Sequence, residues 1–143
     1  MPQYLLDTNI LLHYIRRDAL SQDIEARYHL HISSPPPLIS VVTQGEIRSL
    51  AEQLHWGEAR KRHLTLLLDT CIVLPLGLPG LIGAYAAIDA HNVSVGRKIG
   101  DNDVWIAATA HSTKARLLTT DKDFDHLHSL FLLRDWIDPR AHY

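Results

Sequence analysis

Four acids in this chain stand where carboxylates can do chemistry: Asp7, Glu46, Asp103 and Asp121. Asp7 ends the apolar run Tyr4-Leu5-Leu6, and Asp121 ends Leu117-Leu118-Thr119-Thr120 in the same way. Glu46 and Asp103 stand near the starts of helical patterns. A buried strand that ends in an acid at a strand-to-helix turn delivers that acid to the carboxyl edge of a sheet, where open α/β folds bind ligands. Three of the four also have an ordinary explanation. Asp7 suits a helix N-cap, Asp121 an Asx-turn, and Glu46 the far end of a capping box begun by Thr43. The set carries more weight than its members. If the strands adjoin, the carboxylates converge on one cleft without matching cations, and like charges raise one another's pKa. A hard divalent cation relieves that cost. Oxygen-only ligands, with no Cys or His at ligand spacing, favour Mg²⁺ or Mn²⁺ over zinc. Such an ion binds substrate phosphates and activates a water for in-line attack on phosphorus.

The elements that must position these acids follow from periodicity and punctuation. Residues 3–6 read as a buried strand. Residues 8–16 read as a helix with Ile10, Leu11, Tyr14 and Ile15 on one side, closed by Arg16-Arg17 where cations suit the helix dipole. A second helix is expected over about 18–30, with His29 and His31 as surface residues lacking a third ligand. Three prolines at 35–37 exclude helix and form a connector within one domain. A strand over 38–42 leads into a helix from Thr43 to about Trp56, with Ile47, Leu50, Ala51 and Leu54 as its apolar stripe and Glu46 at the border. A helix at 58–69 carries the basic cluster Arg60, Lys61 and Arg62, read as a solvated face, and a strand follows at 70–74. A turn region with Pro75, Gly77, Pro79 and Gly80 precedes a helix at 81–91. Residues 91–100 read as a glycine-flanked loop whose Arg97 and Lys98 are candidate phosphate contacts. The helix from Asp101-Asn102-Asp103 onward is apolar nearly all round, which marks it as buried. Asp101 or Asn102 can cap it, leaving Asp103 beyond what capping requires. Lys114 is a further candidate phosphate contact, ahead of a strand at 117–120, and a last edge strand is expected at 131–133.

Strands alternating with helices imply a mostly parallel sheet covered on both faces. The chain of 143 residues, 46% hydrophobic and 21% charged, suits one domain over 1–143 with a real core. A formal charge of −2 gives no global basic field, so nucleic-acid binding requires a local patch or a metal. The lone Cys71 sits in an apolar run, cannot form an internal disulfide and reads as a buried small hydrophobe. No apolar run reaches membrane-spanning length, and Asp7 interrupts any leader-like segment, so a cytoplasmic protein without membrane attachment is expected.

Leu5-Leu6-Asp7-Thr8-Asn9-Ile10-Leu11, Glu46-Ile47-Arg48, Asn102-Asp103-Val104-Trp105-Ile106-Ala107-Ala108 and Leu118-Thr119-Thr120-Asp121-Lys122-Asp123-Phe124 together resemble the ordered motifs of a PIN domain. The best subfamily match is to the VapC-like toxins of type II toxin–antitoxin pairs, and the resemblance covers almost the whole chain. It implies a three-layer α/β/α sandwich around a five-stranded parallel sheet, and a Mg²⁺- or Mn²⁺-dependent endoribonuclease. It also implies homodimers and a small antitoxin partner that blocks the cleft. Carried over by residue, Asp7, Glu46, Asp103 and Asp121 form the metal cluster. Asp7 and Asp103 hold the first metal, and Glu46 and Asp121 complete the site or orient water. Thr119 matches a polar position beside the cluster, Asn9 a side chain near the first aspartate, and Asp123 and Asp101 are second-line acids. The segment Gly45-Glu46-Ile47-Arg48-Ser49 departs from the pattern by lacking the leucine and glycine common after the glutamate.

Two rival readings differ in class. A haloacid-dehalogenase-type phosphatase would use Asp7 as nucleophile, but it needs a second aspartate where this chain has Asn9. A non-catalytic module would use the acids to recognise a basic partner. A PIN-like RNA-processing nuclease outside any toxin system is the alternative within the enzyme class.

Overall fold

Short runs that are apolar at every position fit strands buried on both faces, and the fold realises this pattern. The computed structural model describes residues 2–140. The chain runs β1 (Tyr4–Leu6), α1 (Thr8–Arg16), α2 (Ala19–Tyr28), β2 (Leu38–Ser40), α3 (Val41–Gln53), α4 (Glu58–Asp69), β3 (Ile72–Leu74), α5 (Leu81–Ser94), α6 (Asp101–Thr113), β4 (Arg116–Thr119) and β5 (Leu133–Trp136). Short 3-10 helices occupy Leu30–Ile32 and Lys122–Leu127. The five strands are ordered β3-β2-β1-β4-β5, and every pairing is parallel.

Successive strand residues point to opposite faces, which divides the core in two. Leu5, Leu38 and Leu117 pack with α5 and α6, whereas Leu6, Ile39 and Leu118 pack with α1 to α4. The result is an α/β/α sandwich. The chain leaves β1 for β2 and β3 on one side, then returns through α5 and α6 to β4 on the other. The carboxyl end of β1 therefore lies at the point where the strand order reverses, the usual ligand position in an open parallel sheet.

Several boundaries differ from the sequence expectation for physical reasons. α3 starts at Val41, because Ser40 acts as N-cap and its hydroxyl accepts from the Val42 N–H at 3.1 Å. Thr43 is therefore inside the helix and fully buried, and the expected Thr43–Glu46 capping box is not formed. The cap of α6 is Gly100, so neither Asp101 nor Asn102 caps it. α5 extends to Ser94, which shortens the loop before α6. The last strand lies at Leu133–Trp136, beyond the apolar run expected to form it. Phe131 and Leu132 pack against the core instead, while β5 is an edge strand fixed partly by polar contacts, with Arg116 on Asp135 at 2.8 Å.

Candidate active site

The register of the central strands brings the first two components together. Leu6 pairs with Leu118, so Asp7 and Thr119 are neighbours at the carboxyl ends of β1 and β4. The Asp7 N–H donates to the Leu118 carbonyl at 3.1 Å, which holds the backbone there. Thr119 is fully buried; its hydroxyl donates to Asp7 Oδ2 at 2.7 Å and accepts from the Asp121 N–H at 3.0 Å. Asp7 also caps α1, accepting on Oδ1 from the Thr8 N–H at 2.8 Å. One carboxylate thus caps the N-terminus of α1 and lines the cleft. Asp121 behaves likewise, accepting from the Asp123 N–H at 2.8 Å in the turn that opens the 3-10 helix.

The early start of α3 matters for Glu46. Its carboxylate is not engaged in capping; it accepts from the Thr8 hydroxyl at 2.9 Å. Glu46, Ser49, Leu50 and Gln53 follow the i, i+3, i+4, i+7 spacing of one helix face, and all four line the same cleft. The buried stripe of α3 is narrower than the sequence suggests: Ile47 and Ala51 are in the core, while Leu54 is 62% exposed.

Asp7, Thr8, Asn9, Glu46, Ser49, Leu50, Gln53, Asp103 and Asp121 together enclose a cleft of about 310 Å³. Four carboxylates from four separate segments thus share a single opening, and no Lys, Arg or His is among these lining residues. The electrostatic cost is visible in the acids. Burial pushes Asp7 up to about 6, against the lowering effect of its bonds from Thr119 and Thr8, and Asp121 and Glu46 add repulsion. Burial, then the charges of Asp7, Asp121, Glu46 and Asp123, push Asp103 up to about 7. Carboxylate oxygens of Asp103, Asp121 and Asp123 lie within 4.8 Å of one another. This donor set fits a hard divalent cation: it is all oxygen, negatively charged, braced by hydroxyl and backbone donors, and without a side-chain cation among the described residues that line the cleft.

The remaining sequence candidates divide. Asn9 lines the cleft with its side chain at the surface. Asp123 joins the tightest group of acids, a closer place than its second-line standing suggests. Asp101 does not line the cleft; it meets the Tyr85 hydroxyl of α5 at 3.5 Å. Arg97 and Lys98 are exposed in the turn just ahead of α6, near the end that carries Asp103. Lys114 caps the opposite end of α6, roughly 16 Å from Asp103 along a helix rising ~1.5 Å per residue. It borders a groove with His111, Leu130 and Phe131 rather than the acid cleft. Cys71 is half-buried, and burial pushes its thiol up, as expected of an inert packing residue. Among the described residues, no cation site uses His29 or His31. Sequence reasoning missed Thr8. Its only sequence signal is adjacency to Asp7, and its contact with Glu46 spans 38 positions.

Among solved structures, the fold is similar to VapBC2 from Rickettsia felis, bound to a DNA fragment from its promoter, at 21% identity and a TM-score of 0.78, covering 94% of this chain and 98% of that one. VapBC-1 from nontypeable Haemophilus influenzae matches at 26% identity and a TM-score of 0.72, covering 93% and 96%. VapBC-5 from Mycobacterium tuberculosis, a member of the VapBC family of toxin–antitoxin systems, matches at 21% and 0.68, covering 96% and 100%. No curated protein matches the sequence. The family model described as PIN domain matches residues 4–129.

Proposed function

This chain belongs to the PIN domain family, and we propose that it is a Mg²⁺- or Mn²⁺-dependent endoribonuclease, the toxin of a VapBC-type toxin–antitoxin pair. PIN domains are generally nucleases that use divalent metals, and the acid cluster such a metal needs is present. The observation that carries the reading is the convergence of Asp7, Glu46, Asp103 and Asp121 on one cleft whose lining offers no cation.

In this reading Asp7 and Asp103 hold the metal, and Glu46 and Asp121 complete the site or orient the attacking water. Asp123, close to Asp103 and Asp121, is available to the same cation. When bound, the ion offsets the clustered charge, engages a phosphate oxygen and lowers the pKa of water toward neutrality. Thr119 holds Asp7 and the backbone of Asp121 in fixed relation, so the carboxylates need little rearrangement on loading. Asn9 stands at the mouth of the cleft, where a polar side chain suits the sugar–phosphate backbone. Arg97 and Lys98 lie on the α6 side, within the turn that leads to Asp103, and supply positive charge for flanking phosphates. Lys114, at the far end of α6, is too distant to serve the scissile phosphate.

The similarity to VapBC complexes supports a small antitoxin as partner. Homodimerisation belongs to the same reading. It is supported by the apolar outer side of α5, where Ile82 is 71% and Val93 66% exposed. A cytoplasmic location belongs to the same reading; no helix among the described residues is long and apolar enough to cross a membrane. The chain is read as one nuclease domain over 1–143.

The test is cleavage of a mixed tRNA, rRNA and mRNA pool by the purified chain with Mn²⁺ or Mg²⁺, beside EDTA and Asp7→Asn controls. Discrete products that vanish in both controls are expected. Products that persist in both would overturn the reading. Tight Mn²⁺ binding without cleavage of any RNA, in protein shown free of antitoxin, would favour the non-catalytic module.

A further inference from the structure

We propose that Thr8 is a positioning residue that orients Glu46 in the acid cleft through the hydrogen bond from its side-chain hydroxyl. The inference deepens the nuclease reading and rests on it.

Thr8 is the first residue of α1 and only 8% exposed. Helix formation accounts for its backbone, not for its hydroxyl, since Asp7 already caps the helix. A hydroxyl has one proton to donate, and that of Thr8 goes to Glu46 Oε1 at 2.9 Å. The backbone N–H of the same residue goes to Asp7 Oδ1 at 2.8 Å. One residue thus holds two of the four acids, and these come from different elements: Asp7 from the end of β1, Glu46 from the second turn of α3.

The arrangement is continuous with the one at Thr119. The Asp121 N–H donates to Thr119 Oγ1, whose proton goes to Asp7 Oδ2; Asp7 Oδ1 accepts from Thr8, and the Thr8 hydroxyl reaches Glu46. Two buried threonines therefore link three of the four acids in a single hydrogen-bonded chain, and Thr8 is the link that crosses to α3. A glutamate side chain has three rotatable bonds and costs more to order than an aspartate. Glu46 is the acid whose direction most needs an external constraint. With Oε1 committed to Thr8, Oε2 is the oxygen offered to a cation or a water in the cleft. Partners behind a ligand that fix its orientation typically contribute 10- to 100-fold in metal affinity or activity.

Thr8→Val removes the hydroxyl and keeps the branched shape; Thr8→Ser keeps the hydroxyl. Mn²⁺ affinity of the purified full chain is measured by titration calorimetry, with cleavage of the RNA pool at saturating Mn²⁺ as a second readout. Thr8→Val is expected to bind Mn²⁺ about 10- to 100-fold more weakly, with Thr8→Ser close to wild type. In the Glu46→Gln background, Thr8→Val is expected to cost little more, because its effect passes through Glu46. If Thr8→Val folds poorly by melting temperature, Thr8→Ala takes its place in the same cycle. Wild-type Mn²⁺ affinity in Thr8→Val, equal losses in Thr8→Ser and Thr8→Val, or full additivity with Glu46→Gln would each overturn the assignment. Unchanged affinity in Thr8→Val alongside metal-dependent cleavage by wild type removes the role of Thr8 and leaves the nuclease reading intact. A wild-type chain that binds no Mn²⁺ removes both.

Discussion

At the scale of single residues, the acid cleft is a place where stability is given up. Asp103 illustrates this most clearly, since burial and four neighbouring acids push its carboxyl up to about 7. Neutralising it without changing its shape relieves repulsion that only a bound cation otherwise offsets. Asp103→Asn is therefore expected to raise the melting temperature of the metal-free protein at mildly alkaline pH while abolishing metal-dependent cleavage. A variant that loses activity and also melts lower would contradict that view of the cleft. Asp7, Asp103 and Asp121 were legible in the sequence because each lies just past a strand or in the first turn of a helix, positions that topology sends to one sheet edge, whereas Glu46 reaches that edge from the second turn of α3. Thr8 was not legible in the same way. Its partner is 38 residues away, and only the packing of α1 against α3 brings the two together. Asp123 shows an intermediate case. The resemblance marks it only as a second-line acid, and its nearness to Asp103 depends on how the 3-10 helix is seated by the fully buried Phe124.

At the scale of elements, the start of α3 decides whether Glu46 is a cap or a cleft residue. The pattern Thr-x-x-Glu in the sequence points to Thr43 as the cap. The fold uses Ser40, because the parallel pairing of β2 with β3 ends there and the chain turns at once into helix. Thr43 is left fully buried with its hydroxyl unpartnered, and Glu46 is released toward Thr8. Two substitutions separate these positions. Ser40→Ala should cost ~1 kcal/mol through loss of the cap. Thr43→Val should leave stability unchanged or raise it, since an unsatisfied buried hydroxyl is replaced by a methyl group. Chemical denaturation checks both, and a large loss from Thr43→Val would restore the capping box. The last strand teaches a related lesson. The apolar run Phe131-Leu132-Leu133 reads as the strand, but the edge strand begins only at its last residue and runs over Leu133–Trp136. Its place depends partly on Arg116 bonding Asp135 and on the Trp136 indole donating to the Thr120 carbonyl at 3.0 Å. Such contacts leave no hydrophobic pattern to read.

At the scale of the whole molecule, strand order turns scattered acids into a site. With β1 central and β4 beside it, the reversal of strand order falls at Asp7, and α6 crosses near the same edge with Asp103 in its first turn. The alternation of helix and strand made the layered parallel architecture predictable, because a parallel sheet requires helical crossovers on its faces. The strand order itself is a tertiary fact with no local signature. Stability of the whole fold should respond to pH through the cleft. Burial and the neighbouring acids push Asp7 up to about 6 and Asp103 up to about 7, from an ordinary carboxyl value of 3.8. Their contribution is therefore present below about 4 and lost as pH rises through 6 and 7. A bound divalent cation reverses the penalty by mass action on the ionised form. The rise in melting temperature on adding Mn²⁺ is thus expected to be small under acidic conditions and to grow as pH passes 7. A shift independent of pH would place the ion elsewhere.

Binding of divalent metal by these carboxylates for phosphodiester chemistry is read at the atoms themselves by anomalous diffraction from crystals grown with Mn²⁺ above neutral pH. A strong anomalous peak is expected in the cleft, within coordinating distance of carboxylate oxygens of Asp7 and Asp103. The peak is expected to disappear in Asp103→Asn crystals. Well-ordered crystals with an empty cleft, or with Mn²⁺ only at other surface acids, would contradict it.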